Sequence, residues 1–196
     1  MKKTCRFHVG SVLLISSLLG AVLGISHRAR AQTAATPSPQ ADGVHDFDFE
    51  LGTWRTHLRR LQHPLSGSTT WLEYNGTTSV RAVSGGRANL LEFHVSSSSG
   101  SIDALSLRLY EPEGRQWTVN FANLRDGRLT PAVIGSFRDG RGSFYGQDSL
   151  NGRAIFVRFI ITRPTPDSAH FEQAFSADGG QTWEVNWIAD DVRTAG

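Results

Sequence analysis

Apolar and polar residues alternate along most of the chain after His45, a period-two pattern that predicts half-buried β-strands. The alternation is clearest from Ser168 to Asp190, where two such runs flank the turn sequence Asp178-Gly179-Gly180-Gln181. The counting predicts one face made of Phe171, Phe175, Trp183, Val185 and Trp187. It places His170, Glu172, Glu184 and Asn186 on the other, solvated face.

Turn dipeptides divide the rest of the chain into short segments without room for crossover helices. They are Asn75-Gly76, Gly85-Gly86, Ser99-Gly100, Glu113-Gly114, Asp126-Gly127, Asp139-Gly140, Asn151-Gly152 and Asp178-Gly179. Only the 164–167 link uses proline instead. We therefore predict an all-β fold of nine to ten strands in up-and-down antiparallel order. Closure into a single barrel would remove the two exposed edges of such a meander.

The inward faces follow from the same counting. They are predicted to carry Trp54, Thr56 and Leu58; Leu91, Phe93 and Val95; Leu105, Leu107 and Leu109; Trp117, Val119 and Phe121; and Ile155, Val157, Phe159 and Ile161. Five polar residues interrupt these faces, namely Arg60, Asn89, Asp103, Asp148 and Gln173. A polar group in an apolar interior needs a partner, so these positions are candidates for binding a ligand.

The first 31 residues are typical of a secretory signal peptide. Lys2, Lys3 and Arg6 precede an apolar run, and Ala29-Arg30-Ala31 offers a cleavage site. We predict cleavage after residue 31, a disordered tether over 32–44, and a barrel domain over 45–196. The protein would then be periplasmic or secreted, in a bacterial host. An uncleaved membrane anchor is the alternative, although the run is short for spanning a bilayer.

Cleavage would change the charge of the chain. Five of its 20 Lys and Arg residues lie in 1–31, which leaves 15 against 18 Asp and Glu. The remaining negative balance gives no reason to expect nucleic acid or, after cleavage, a membrane surface as a partner. Cys5, the one cysteine, would also be lost, so no disulfide or thiol chemistry is expected. Oligomeric state stays open, with a homodimer as one alternative.

The segment 176–183 matches S-x-D-x-G-x-T-W and resembles the Asp-box of sialidase propellers. A propeller needs several copies and this chain has one. We therefore give the motif residues Ser176, Asp178, Gly180, Thr182 and Trp183 a structural role, in which side-chain oxygens accept turn N–H groups.

Gly52-Thr53-Trp54 follows a short aromatic segment and resembles the G-x-W signature of lipocalins and other calycins. The resemblance implies that Trp54 closes one barrel end and that Arg193 packs across it. The stretches 45–54, 106–117 and 171–187 further resemble exported bacterial proteins of the DUF1579 type, which have no agreed activity. That resemblance implies a calycin-like barrel with a cavity, and no particular reaction.

Signatures of catalysis are absent: the sequence has no nucleophile elbow, phosphate-binding loop or H-E-x-x-H. We expect no catalytic residue, no metal site and no cofactor. In barrels that bind fatty acids, an interior Arg and Tyr hold the ligand carboxylate. Strict alternation directs Arg108, Tyr110 and Arg158 outward here, unless a bulge reverses a strand.

The resulting hypothesis is an exported protein that binds a small hydrophobic or amphipathic molecule inside the barrel. Trp117, Phe121 and Trp187 would contact its apolar part, while Arg60, Asn89 and Gln173 orient its polar end. One alternative is an enzyme that uses Arg60 with Asp148 or Asp103 as an acid–base pair. The other is a structural or interaction module whose barrel is filled by its own side chains.

Overall fold

The computed structural model describes residues 42–194, and within them the chain forms eleven strands, two 3₁₀ turns and no α-helix. The predicted signal peptide and most of the predicted tether lie outside the described residues. The strands are β1 Gly52–Leu61, β2 Trp71–Val83, β3 Ala88–Ser97, β4 Gly100–Glu111, β5 Gln116–Asn123, β6 Arg128–Leu129, β7 Val133–Arg138, β8 Arg141–Leu150, β9 Arg153–Thr165, β10 Ser168–Ser176 and β11 Glu184–Arg193. The 3₁₀ turns are η1 Asp48–Glu50 and η2 Ser84–Gly86. No helix within 42–194 has the length and apolar character needed to cross a membrane.

The strands close into an antiparallel barrel. Apart from the short β6, each strand pairs with the next one along the chain, and β1 pairs with β11, so ten strands form a ring. The two-residue β6 adds only to the edge of β5, which also pairs with β7. This topology confirms the predicted up-and-down barrel. It leaves no long strand edge unpaired within the described residues, which is the physical reason for closure.

One end of the barrel is closed by the segment 43–51, and we call it the plug end. Phe47 is fully buried there, in T-shaped contact with Trp117 and Phe137 at centroid distances of 5.0 Å. The indole N–H of Trp117 donates to the carbonyl of Gly43 at 2.9 Å. The opposite end, which we call the mouth, carries the loops 62–70, 124–132 and 177–183.

One predicted turn is wrong. Asn75 and Gly76 lie inside β2, and the reversal between β1 and β2 is made by residues 62–70 instead. An added Cβ on Gly76 would overlap the backbone of His94 and lie 2.7 Å from the Cα of Val95. Gly76 is therefore needed for a close approach of β2 to β3, and not for a turn.

The predicted face of β4 is also reversed. Ala104, Ser106 and Arg108 are buried, whereas Leu109 is 44% exposed on the outer surface. The predicted inward set Leu105, Leu107 and Leu109 therefore faces outward. Both sides of β4 carry apolar residues, and its pairing with β3 determines which side is inside.

A β-bulge in β11 corrects the predicted faces of the last hairpin. Gln173 pairs with Trp187 but Ala174 pairs with Val185, so Asn186 is an extra residue. Asn186 and Trp187 consequently both reach the interior. The predicted inward residue Trp183 lies outside, with the Arg158 guanidinium 4.7 Å from its ring.

Candidate functional site

The interior of the barrel contains a cavity of about 320 Å³. Its apolar wall is formed mainly by aromatic and aliphatic side chains from β3, β5, β9, β10 and β11. They are Leu91, Phe93, Val119, Phe121, Val157, Phe159, Ile161, Phe171, Phe175 and Trp187. This cavity does not favour the alternative of a barrel filled by its own side chains. The volume falls within the range of small-molecule sites.

Four of the six predicted ligand-binding residues line this cavity: Arg60, Phe121, Gln173 and Trp187. The other two do not. Trp117 is 1% exposed because it packs against Phe47 and Tyr110 below the cavity. Asn89 is buried opposite Arg108, and its Oδ1 has no partner within the described residues. Both are corrected to core positions near the plug.

The cavity floor, at the plug end, contains an ion pair that strict alternation along β4 misplaced. Arg108 Nη1 donates to Glu50 Oε2 at 2.6 Å, and both side chains are almost fully buried. The guanidinium also lies 4.3 Å from the ring centre of Phe47. Glu50 comes from η1 in the plug, so this pair joins the plug to the barrel wall. Tyr110 packs on Trp117 instead of pointing to solvent.

Asp191 adds a second carboxyl group to the floor. Its side chain lines the cavity and accepts a hydrogen bond from the Thr56 hydroxyl, which is itself 2.7 Å from the Thr78 hydroxyl. Burial raises the pKa of Asp191 to about 7, and the Glu50 charge acts in the same direction. The Thr56 hydrogen bond and the Arg108 charge act against this shift. Asp191 therefore changes charge near neutral pH.

The mouth carries the other charged groups of the cavity. Arg60 lies 5.9 Å from the ring of Trp187, and it forms no ion pair with Asp148 although both line the cavity. Gln173 donates to Asn186 at 2.8 Å. The predicted pairing of Arg60 with Asp103 is excluded, because Asp103 lies on the outer surface against His94.

Part of the loop 62–70 lies over the mouth. The backbone N–H of Leu65 donates to Glu184 Oε1 at 2.6 Å, and the Leu65 side chain packs against the core at φ +58°. A leucine in the left-handed region is unfavourable and needs local support. Here that support is the hydrogen bond to Glu184. The bulge in β11 pairs Glu184 with Phe175, so both residues are on the cavity side of the sheet.

Two predicted structural features lie outside the cavity. The Arg193 guanidinium lies 4.0 Å from the ring of Trp54 and donates to the carbonyls of Leu51 and Phe49, each at 2.7 Å. In the 176–183 turn, Ser176 donates to Asp178 at 2.7 Å. Further turn bonds come from the N–H groups of Gly180, Gln181 and Thr182 and from the Trp183 indole, which donates to the Gly180 carbonyl. The hydrogen bonds that Asp178 itself accepts, first from the Thr182 hydroxyl and N–H and then from the Ser176 hydroxyl and the Gln181 N–H, hold the pKa of Asp178 far below its usual range.

The outer surface holds one histidine with two carboxylates. His170 Nδ1 lies 2.6 Å from Asp190, and Nε2 lies 3.3 Å from Glu172. Burial lowers the pKa of His170, but the two carboxylates outweigh burial and raise it. Within residues 42–194, no group of three or more His, Cys, Asp and Glu side chains is placed to hold a metal ion.

Comparison with known proteins gives structural matches only. No protein-family model matches the sequence, and no curated protein sequence matches it. The solved structures that match include a protein designated EF1p2_mFAP2b bound to DFHBI, at 9% identity and a TM-score of 0.41, covering 78% of this chain and 99% of that one. Another is a redesigned β-barrel, mFAP0, bound to DFHBI, at 13% identity and a TM-score of 0.42, covering 74% and 99%. A further redesigned β-barrel matches at 11% identity and a TM-score of 0.42, covering 81% and 100%.

Proposed function

We propose that this protein binds a small hydrophobic or amphipathic molecule inside its barrel. The observation that carries the proposal is the cavity of about 320 Å³. Its wall is mainly apolar, with a few polar groups at the floor and at the mouth. Burial of apolar ligand surface contributes roughly 25 cal/mol per Å². The polar groups at the floor and at the mouth would fix the orientation of the ligand.

Two sets of side chains within the cavity support ligand binding. The aromatic residues Phe121, Phe159, Phe171 and Trp187 offer flat apolar surfaces in the middle of the barrel. Gln173 and Asn186 add amide groups that already bond to each other, so a ligand would meet a rigid polar edge there. Such an arrangement favours a molecule with an apolar body and a polar group at one end.

A binding experiment tests the proposal. The fluorescence of N-phenyl-1-naphthylamine should rise when it enters the barrel of the purified protein and fall when an apolar competitor is added. Ala189→Trp fills the cavity from β11 and should abolish the signal, because Ala189 is buried and lines it. Ala154→Trp, at an exposed position of β9, is the matched control and should bind like the parent chain.

Folding of each variant is checked by circular dichroism, and Ser106→Phe replaces Ala189→Trp if that variant does not fold. Ser106 also lines the cavity, on the opposite wall from β11. A fluorescence signal that persists in the folded, occluded variants would place the dye on the outer surface and contradict the proposal. So would the absence of any displaceable signal in the parent chain.

The proposal includes export. The basic and apolar pattern of residues 1–31 and the Ala29-Arg30-Ala31 sequence support cleavage before Gln32. Mass measurement of the protein recovered from the periplasm or medium of a bacterial host would test it. The expected mass is that of residues 32–196, and a full-length mass in the membrane fraction would favour the anchor instead.

A reaction within the same cavity is the second candidate function. The observation that favours it is Asp191, a cavity carboxyl group whose pKa of about 7 suits proton transfer near neutral pH. It would replace the predicted pair of Arg60 with Asp148 or Asp103. A co-purifying small molecule that is chemically converted by the parent chain, and not by Asp191→Asn, would establish this function. A bound molecule that is recovered unchanged would support binding alone.

A further inference from the structure

The charges on the cavity floor are not balanced. Glu50 and Asp191 bring two carboxyl groups from η1 and β11, and Arg108 of β4 brings the one guanidinium among residues 42–194 that faces them. The guanidinium is already engaged by Glu50 at 2.6 Å. When Asp191 is ionised, the floor therefore carries one negative charge without a partner cation among residues 42–194.

The other residues packed around Asp191 supply no compensating charge. Thr56 of β1 donates one hydrogen bond to Asp191 Oδ1, and Ala169 of β10 lies opposite in the sheet. The neighbouring Asp190 is turned to the outer surface, where it pairs with His170 at 2.6 Å, and its charge disfavours ionisation of Asp191. Within the described residues, Asp191 Oδ2 receives no hydrogen bond.

Two polar groups of β4, on the wall across the barrel from Asp191, also lack partners. Arg108 Nε is buried and has no acceptor within residues 42–194. Ser106 is 6% exposed, lines the cavity and, in the described chain, has no side-chain hydrogen bond. A buried polar group without a partner is costly, and a ligand that supplies the partner recovers that cost. The Ser106 hydroxyl, which can donate or accept a hydrogen bond, is thus available to a polar group that enters from the cavity, whereas the Arg108 N–H would need an acceptor.

We infer that the inner end of the ligand is a protonated amine that pairs with Asp191, and not a carboxylate that pairs with Arg108. The inference rests on the proposed function. A carboxylate at the floor would be repelled by Glu50 and by ionised Asp191, and it could reach Arg108 only by competing with Glu50. An ammonium group completes a charge pair in a site where water is scarce, and such a pair is stronger than one at the surface.

The ionisation of Asp191 gives this pairing a pH dependence. Asp191 is neutral below its pKa of about 7 and charged above it, while a primary alkylamine keeps its proton well above pH 8. Amine binding should therefore tighten as the pH rises through 7. Binding of a neutral alcohol of the same chain length should change less, because it cannot form a charge pair with Asp191.

The test uses displacement of N-phenyl-1-naphthylamine by decylamine, decanol and decanoate at pH 5.5 and pH 8. Each competitor has ten carbon atoms, and they differ in the polar group at one end. At pH 8 we expect decylamine to displace the dye at a concentration at least about tenfold below that of decanoate, a ratio equivalent to 1.4 kcal/mol. At pH 5.5 that ratio should shrink.

Asp191→Asn should remove both the amine preference and its pH dependence. Asp103→Asn is the matched control, because it changes the same group on the outer surface, and the preference should persist. Displacement led by decanoate, or an amine preference unchanged in Asp191→Asn, would overturn the inference. Failure of the dye to bind any folded form would instead overturn the proposed function, so the two failures are distinguishable.

Discussion

At the scale of single residues, ionisation of the Asp191 carboxyl group changes both the charge of the cavity and the stability of the barrel. Its pKa is raised from 3.8 to about 7 on folding, mainly by burial. The folded chain therefore holds this proton over a pH range in which the unfolded chain releases it. The stabilisation is present below pH 4 and is lost as the pH rises through about 7.

This pH dependence predicts how Asp191→Asn changes the stability of the barrel. Asp191→Asn removes the titration but can still accept the Thr56 hydrogen bond, so it should be more stable than the parent chain at pH 8 by up to about 4 kcal/mol. At pH 4 the two proteins should be nearly equal. Urea unfolding across this pH range measures the difference, and parallel pH profiles would contradict it. His170 titrates in both proteins, so its contribution cancels from the difference between their free energies of unfolding.

Glu50 and Arg108 give a second prediction at this scale. Removal of either partner leaves a buried charge, so Glu50→Ala and Arg108→Met should each destabilise the barrel by about 3–5 kcal/mol. The double variant should cost much less than the sum, because it removes both charges of the Glu50–Arg108 pair together. Urea unfolding of the parent, the single and the double variants gives the coupling, and additive losses would show that the pair does not act as a unit.

The location of Arg108 could have been obtained from the sequence by one further step. Ser97 pairs with Gly100 across a two-residue turn, and counting back along both strands pairs Asn89 with Arg108. Paired residues share a face, so the predicted inward position of Asn89 implies an inward Arg108. Counting each strand alone missed this, because β4 has apolar residues on both faces.

The other floor residues had no comparable local signal. Glu50 lies in a 3₁₀ turn, where period-two counting does not apply, and Asp191 reaches the floor near the end of β11. Glu50, Arg108 and Asp191 are distant in sequence and meet only because the plug crosses the barrel end and β11 pairs with β1. Their proximity follows from closure and could not be obtained from spacing.

At the scale of elements, alternation predicted the strands well wherever each strand was regular and one face was clearly apolar. The face of β9, with Ile155, Val157, Phe159 and Ile161, is buried as expected. The prediction failed where a residue was added without a local signal, as at Asn186 in β11. A bulge changes the direction of every side chain beyond it, so one inserted residue exchanged the predicted positions of Trp183 and Glu184.

Gly76 in β2 carries the third prediction. The backbone of β3 approaches so closely that an added Cβ would overlap the carbonyl group of His94. Gly76→Ala should therefore lower the free energy of unfolding by several kcal/mol or prevent folding, since backbone atoms cannot move aside at low cost. Thr77→Ala, at the next and exposed position, is the control and should stay within about 0.5 kcal/mol. Equal stability of the two variants would contradict the close approach.

At the scale of the whole molecule, stability depends on a ring in which the first and last long strands are neighbours. Trp54 pairs with Arg193 and Arg60 with Trp187 along the β1–β11 ladder, and Thr194 continues it with a bond to the Thr53 carbonyl at 3.0 Å. The Arg193 guanidinium also joins β11 to the plug by hydrogen bonds to the carbonyls of Leu51 and Phe49. The ring, the plug and the cavity floor thus all depend on β11.

The fourth prediction concerns a chain from which β11 has been removed. A chain that ends at Trp183 would leave β1 and β10 as unpaired edges and would lose Asp191, Trp187 and the Arg193 contacts together. Exposed edges pair with other molecules, so this chain should aggregate or remain unfolded, whereas a chain that ends at Thr194 should remain a cooperative barrel. Size-exclusion chromatography and thermal unfolding by circular dichroism distinguish the two. If the shorter chain were monomeric and still unfolded cooperatively, the remaining strands would be stable without closure, and the ring would not be what holds this molecule together.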